Sequence, residues 1–148
     1  MQEIRIAEQR DIGACSRLLG ILFGQEQEFA PDVRNQELGL EMIIGDASAG
    51  MVLVCEKDGE IAGMLTLLTL VSTALGKKVA MLEDMIVDPA SRGQGIGSML
   101  VEHAFAWARD NGYGRITLLT DGDNDSAHRF YGGKGFERSQ MAVFRKML

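Results

Sequence analysis

Apolar and polar residues alternate along this chain in two rhythms. Ile4 and Ile6 are interleaved with charged neighbours, the period of two that marks a strand. After Asp11, which is placed to cap a helix, Leu18, Leu19, Leu22 and Phe23 recur at helical spacing, and Gly24 ends the run. Gln25 to Ala30 is polar and acidic and reads as a loop. Pro31 suits the first turn of a second helix carrying Val33, Leu38, Leu40, Met42 and Ile43. Met51–Glu56 and Ile61–Leu70 then read as strands, and the Asp-Gly pair in Lys57-Asp58-Gly59-Glu60 predicts a hairpin between them.

The second half alternates element types. Val79 to Val87 predicts a fourth strand, closed by Asp88-Pro89. A glycine cluster follows, and then a helix with Ile96, Leu100, Ala104 and Trp107 on one stripe. Asn111-Gly112 ends that helix. Ile116–Thr120 predicts a fifth strand, Ser126–Tyr131 a short helix and Met141–Phe144 a last strand. Consecutive strands first and strand–helix alternation later predict a mixed α/β (α+β) sheet. No repeat or linker interrupts it, so residues 1–148 read as a single domain.

Composition narrows the class. The chain has 148 residues, 46% of them hydrophobic and 24% charged, enough to build a core without disulfides or a structural metal. A net charge of -6 argues against a nucleic-acid partner and is compatible with cationic substrates. Cys15 and Cys55 form no CxxC, and no His/Cys/carboxylate cluster has metal-site spacing. Cys55 sits in an apolar run and reads as a small core residue. The uncharged stretch from Ile61 to Gly76 is short for a membrane span and holds three threonines. The start of the chain lacks a signal-peptide pattern, so a cytoplasmic protein without membrane contact is expected.

The richest chemistry lies in Arg92-Gly93-Gln94-Gly95-Ile96-Gly97. Strand, glycine turn and helix make an anion site, because glycines let a phosphate approach the backbone and the free N–H groups of the helix start point at it. A P-loop would need Gly-Lys followed by Ser or Thr, but Gly76-Lys77 and Gly133-Lys134 are followed by Lys78 and Gly135. A dinucleotide fingerprint would need a third glycine where Ser98 stands, and a strand ending directly at Gly93. Ser48 lacks the first glycine of GxSxG.

The loop instead resembles the Q/R-x-x-G-x-G/A motif of the GNAT acetyltransferases, with Arg92, Gly95 and Gly97 at its fixed positions. Asn124-Asp125-Ser126-Ala127-His128-Arg129-Phe130-Tyr131, followed by Gly135-Phe136, looks like that family's N-x-x-A-x-x-F-Y helix and its trailing G-F. Leu82 to Pro89 resembles the strand before the loop, and the chain's opening resembles the family's start. The likeness spans nearly the whole chain in the same order.

This resemblance implies a GNAT fold, a largely antiparallel mixed sheet with helices on both faces. It also implies acetyl transfer from acetyl-CoA to a primary amine of a small molecule or peptide by direct attack, with no metal. The cofactor set it implies is Met85, Ile86 and Val87 by their backbone, Arg92, Gly93, Gln94, Gly95, Ile96, Gly97 and Ser98 at the loop, and Asn124, Ala127 and Tyr131 on the late helix. Glu83, a charge inside an apolar strand, is the expected base, with Asp84 as its neighbour on the opposite face. Tyr131 is the expected acid for the leaving thiolate. Glu26 and Glu28 in the polar loop, with Glu83, are expected to attract a cationic acceptor. Three matters stay open: the acceptor and acyl group, an idle acyl-CoA-binding module in place of an enzyme, and pairing into a homodimer.

Overall fold

The computed structural model describes residues 1–26 and 30–148. Five strands form one sheet in the order β1-β2-β3-β4-β5. They are β1 (Gln2–Ile6), β2 (Gly50–Lys57), β3 (Glu60–Ser72), β4 (Lys77–Val87) and β5 (Ile116–Leu118). The first four pair antiparallel, and β5 alone runs parallel to its neighbour. The Asp-Gly hairpin forms as expected: Asp58 and Gly59 have φ of 51° and 84°, and Lys57 pairs with Glu60. That left-handed pair matches the twist of the strands that it joins.

Each face of the sheet is covered by helix. Helix α3 (Ile96–Asp110) lays Ile96, Leu100, Val101 and Ala104 on Leu53, Cys55, Leu65, Leu67 and Leu82. Helices α1 (Ile12–Gln25) and α2 (Val33–Ile44) cover Val52, Val54, Met64 and Ile86 with Leu18, Leu19 and Leu40. The alternation of β2 sorts the two cores, since successive side chains point to opposite faces. Cys15 and Cys55 are buried free thiols within these cores, and burial pushes the Cys15 thiol up to about 12.

Several local expectations change. Asp11 sits at the start of α1 but does not cap it with its side chain. Its buried carboxylate instead takes two bonds from Arg5, at 2.7 and 2.9 Å, and one from the Glu8 N–H. Helix α2 begins after Asp32, whose carboxylate accepts from Asn35 N–H at 3.0 Å, so Pro31 lies outside it. Of the five apolar residues expected to mark it only Leu40 is buried, while Val33, Leu38 and Met42 are exposed. Gln36 does the anchoring, by donating to the Ser16 carbonyl and hydroxyl at 2.9 and 3.1 Å. Helix α4 (Asp125–Gly133) forms where it was expected. Met141–Phe144 makes no strand, and the segment after Phe136 has no regular structure.

Candidate active site

The site is built at a break in β4. Leu67 of β3 pairs with Leu82 and Thr66 with Asp84, so Glu83 is an extra residue without a partner on β3. Such a bulge bends the strand and re-aims its side chains. On the other side, β4 pairs with β5 only through Ala80, Met81 and Leu82. From Asp84 to Val87 the strand therefore has a ladder partner on one side alone. The sheet opens into a wedge there, one wall of which is bare backbone.

The glycine loop lies at the end of that wedge. Gly95 stands at the N-cap of α3 with φ of 81° and no capping side chain. A β-carbon at Gly93 or Gly95 would meet nothing within 4 Å, so the space above the loop is open. The first helix bond runs from Met99 N–H to Gly95 O, which leaves the N–H groups of Ile96, Gly97 and Ser98 to an outside acceptor. Side chains around the loop are already engaged. Arg92 Nε donates to Val87 O at 3.2 Å, Gln94 accepts from Lys57, and Ile96 is buried in the core. What the loop offers a ligand is thus mainly backbone and the positive end of a helix.

Helix α4 closes the third side. Asn124 caps it by accepting from Ala127 N–H at 3.1 Å. Tyr131 packs edge-on against Phe130 and Phe136, and its hydroxyl points at the Met85 sulfur 4.0 Å away. A β-carbon at Gly97 would touch both Met85 and Phe130 at 3.6 Å, so β4, α3 and α4 meet at this point. Burial raises the Tyr131 phenol above its ordinary value and keeps it protonated.

The carboxylates differ in setting. Glu83 is exposed on the bulge. Asp84 is largely withdrawn from solvent, and burial first, then the charges of Glu83 and Glu26, push its carboxyl up to about 7. Thr66, directly across from Asp84, is 1% exposed, and its hydroxyl has no hydrogen-bond partner among the described residues. A buried hydroxyl left so is costly, and a polar ligand would relieve it.

The sequence pattern of the Acetyltransferase (GNAT) family matches residues 17–136. This chain belongs to the GNAT acetyltransferase family. The Bacillus subtilis uncharacterized N-acetyltransferase YhfO is 31% identical over 137 residues, covering 90% of this chain and 89% of its own. An aminoglycoside N(6')-acetyltransferase type 1 of Stenotrophomonas maltophilia is 28% identical over 120 residues, covering 79% of this chain and 78% of its own. The rat N-acetyltransferase family 8 member 2 is 33% identical over 90 residues, 61% of this chain, which there spans only 40% of the relative's length. The solved structure of a possible acetyltransferase from Clostridium difficile 630 superposes with a TM-score of 0.90 at 15% identity, covering 100% of this chain and 98% of the other. The GNAT fold read from the sequence is the fold observed.

The expected site residues of this GNAT chain fall into three positions. Met85, Ile86 and Val87 form the one-sided stretch of β4. Arg92 to Ser98 form the loop and helix start, Asn124 caps α4, and Ala127 and Tyr131 lie within it. Glu26 ends α1 and lies close enough to raise Asp84 electrostatically. Glu28 lies outside the described residues. Sequence reasoning ranked Asp84 below Glu83 and gave Thr66 no role. The bulge that sets these two apart depends on pairing with β3, and no local signal announces it. Among the described residues no group of His, Cys, Asp and Glu could hold a metal, and no helix is long and apolar enough to cross a membrane.

Proposed function

We propose that this chain transfers an acetyl group from acetyl-CoA to a primary amine of a small molecule or peptide by direct attack, as a cytoplasmic enzyme. The observation that carries the reading is the meeting of an open backbone wedge, a glycine-capped helix start and a carboxyl pushed up to about 7. The residues present fit the cosubstrate. Backbone N–H groups from Gly93 to Ser98 suit a pyrophosphate. The free side of Met85, Ile86 and Val87 suits the amides of an extended arm, and Asn124 and Ala127 flank its far end. Bound there, acetyl-CoA would supply an activated acyl carbon and a thiolate leaving group.

The rest falls to side chains. An alkyl ammonium with a pKa near ~10.4 must lose a proton before its nitrogen can attack. A base works best when its own pKa lies near the working pH. That condition moves the base role from Glu83 to Asp84, one residue along. Glu83 and Glu26 then hold the Asp84 carboxyl high and attract a cationic acceptor, as Glu28 was expected to do. Thr66 offers a hydroxyl beside Asp84. Tyr131 keeps its proton at the Met85 side of the strand, where a departing thiolate needs one. The name of the Stenotrophomonas relative supports including aminoglycosides among the amines tested.

Two measurements test the reading. Isothermal titration should show acetyl-CoA binding, and free thiol should be released with at least one member of a panel of polyamines, aminoglycosides, amino sugars and peptides. Failure to bind acetyl-CoA would overturn the whole assignment. Binding without thiol release across the panel would leave an acyl-CoA-binding module.

A further inference from the structure

Two neighbouring polar side chains in the sheet make no hydrogen bond among the described residues. Thr66 on β3 and Asp84 on β4 are directly paired across the ladder, which sets their β-carbons about 4.5–5.5 Å apart on one face. Met64 and Ile86, next along that face, belong to the core under α1 and α2, so Thr66 and Asp84 are turned to the same side. On its other flank Thr66 pairs with the buried Val52 of β2. The Thr66 hydroxyl has no partner, and the Asp84 carboxyl is held by no backbone or side-chain donor.

The two differ in access. Asp84 keeps some exposure, whereas Thr66 is 1% exposed. An acceptor arriving from solvent meets the carboxyl, and the polar group in reach of the hydroxyl is that same carboxyl. Packing alone does not ask for a hydroxyl here. Valine has the same branched shape, and among Val52, Met64 and Ile86 it would avoid the cost of a buried unpaired hydroxyl. Rotation about the Thr66 Cα–Cβ bond moves Oγ1 among three staggered positions, so the hydroxyl can turn to the carboxyl across the ladder.

We propose that Thr66 is a positioning residue for Asp84: its hydroxyl donates to one oxygen of the ionised carboxylate and leaves the other to face the acceptor's amine. This rests on the proposed function, which makes Asp84 the base. A hydrogen bond to the charged form is stronger than one to the neutral form, so the hydroxyl favours an ionisation that the other surroundings oppose. Burial opposes it most, followed by Glu83 on the same strand and Glu26 at the end of α1. Arg17, also on α1, is committed to Asp88 at 2.9 Å. Tyr131 of α4 turns its hydroxyl to Met85, on the opposite face of β4. Across the ladder, β3 supplies a neutral donor.

Carbon-13 titration of the Asp84 carboxyl in the intact protein tests this without acetyl-CoA or acceptor, and so separately from the proposed function. Thr66→Val should move the midpoint up by about half a pH unit to one. Thr66→Ser, which keeps the hydroxyl, should leave it near the wild-type value. In the wild type the Thr66 γ-methyl resonance should titrate with the same midpoint as Asp84. With butylamine as acceptor, kcat at pH 7 should fall about twofold to fivefold in Thr66→Val while KM changes by less than about twofold. An Asp84 midpoint that is the same in Thr66→Val and wild type overturns the proposal, as does a Thr66→Ser protein that titrates like Thr66→Val. A raised KM with kcat unchanged would make Thr66 an acceptor contact and also overturns it.

Discussion

The two halves of β4 make the most instructive contrast in the molecule. At Ala80, Met81 and Leu82 the strand lies between β3 and β5, and Val79, Ala80 and Leu82 belong to the core. Beyond the bulge at Glu83, from Asp84 to Val87, it keeps β3 but loses β5. The doubly paired stretch is ordinary sheet interior, where an unpaired charge would be expensive. The second carries two adjacent carboxylates beside bare backbone. On the proposed function, chemistry gathers where the sheet stops closing, because there a ligand can reach main-chain groups and a half-buried carboxyl at once.

The contrast breaks most sharply at Asp84. If the open half holds the base, Asp84→Asn should lower kcat/KM near neutral pH by about a hundredfold to ten-thousandfold. Acetyl-CoA affinity should stay nearly unchanged in the same variant, since the contacts proposed for that ligand are with backbone. Glu83→Gln should lower kcat/KM less. A Glu83 variant that loses more than the Asp84 variant would return the base role to the bulge residue.

The glycine loop gives the next largest effect. Gly95→Asp places a negative charge on the phosphate side, at a left-handed position with free space around it. Affinity for acetyl-CoA, read by isothermal titration, should fall roughly tenfold to hundredfold while the fold persists. Gly95→Ala meets the same backbone constraint without the charge and should lose less.

Tyr131→Phe comes third. Its turnover should fall by about tenfold to hundredfold at every pH where the amine reacts, because raising pH supplies neutral amine but no acid for sulfur. Full activity in this variant would reduce Tyr131 to packing against Phe130 and Phe136.

These sites were not equally legible in the sequence. The hairpin at Asp58-Gly59, the stripe of α3 and the glycine turn are local, and local rules recover them. Asp11 was legible as polar punctuation, but its carboxylate goes to Arg5 across six residues of chain. The apolar run Met141–Phe144 read as a strand without saying whether a neighbouring strand would be present. The same gap hid the bulge: Glu83 and Asp84 look equivalent until Thr66 and Leu67 fix their register. Pairing between distant segments is what the pattern cannot supply, and the proposed ranking of the two carboxylates depends on it.

Asp84 should also carry a consequence in stability. Its folded pKa of about 7 lies above the ordinary 3.8, so the folded chain binds more protons than the unfolded chain between those values. Stability should therefore fall as pH rises from about 4 to 7 and stay lower above that range. Asp84→Asn should remove this slope and stabilise the chain at pH 8 by as much as ~4 kcal/mol, read from urea unfolding midpoints. At pH 4 the two proteins should match.

The central claim, that the open half of β4 holds a desolvated carboxyl poised near neutrality, can be read without any acceptor. A carbon-13 NMR titration of the side-chain carboxyls, with Asp84 assigned through the Asp84→Asn spectrum, measures it directly. The midpoint should lie near 7 and move downward in Glu26→Gln, which removes one of the charges that hold it up. A midpoint near 4, the range of an ordinary solvated aspartate, would contradict the account.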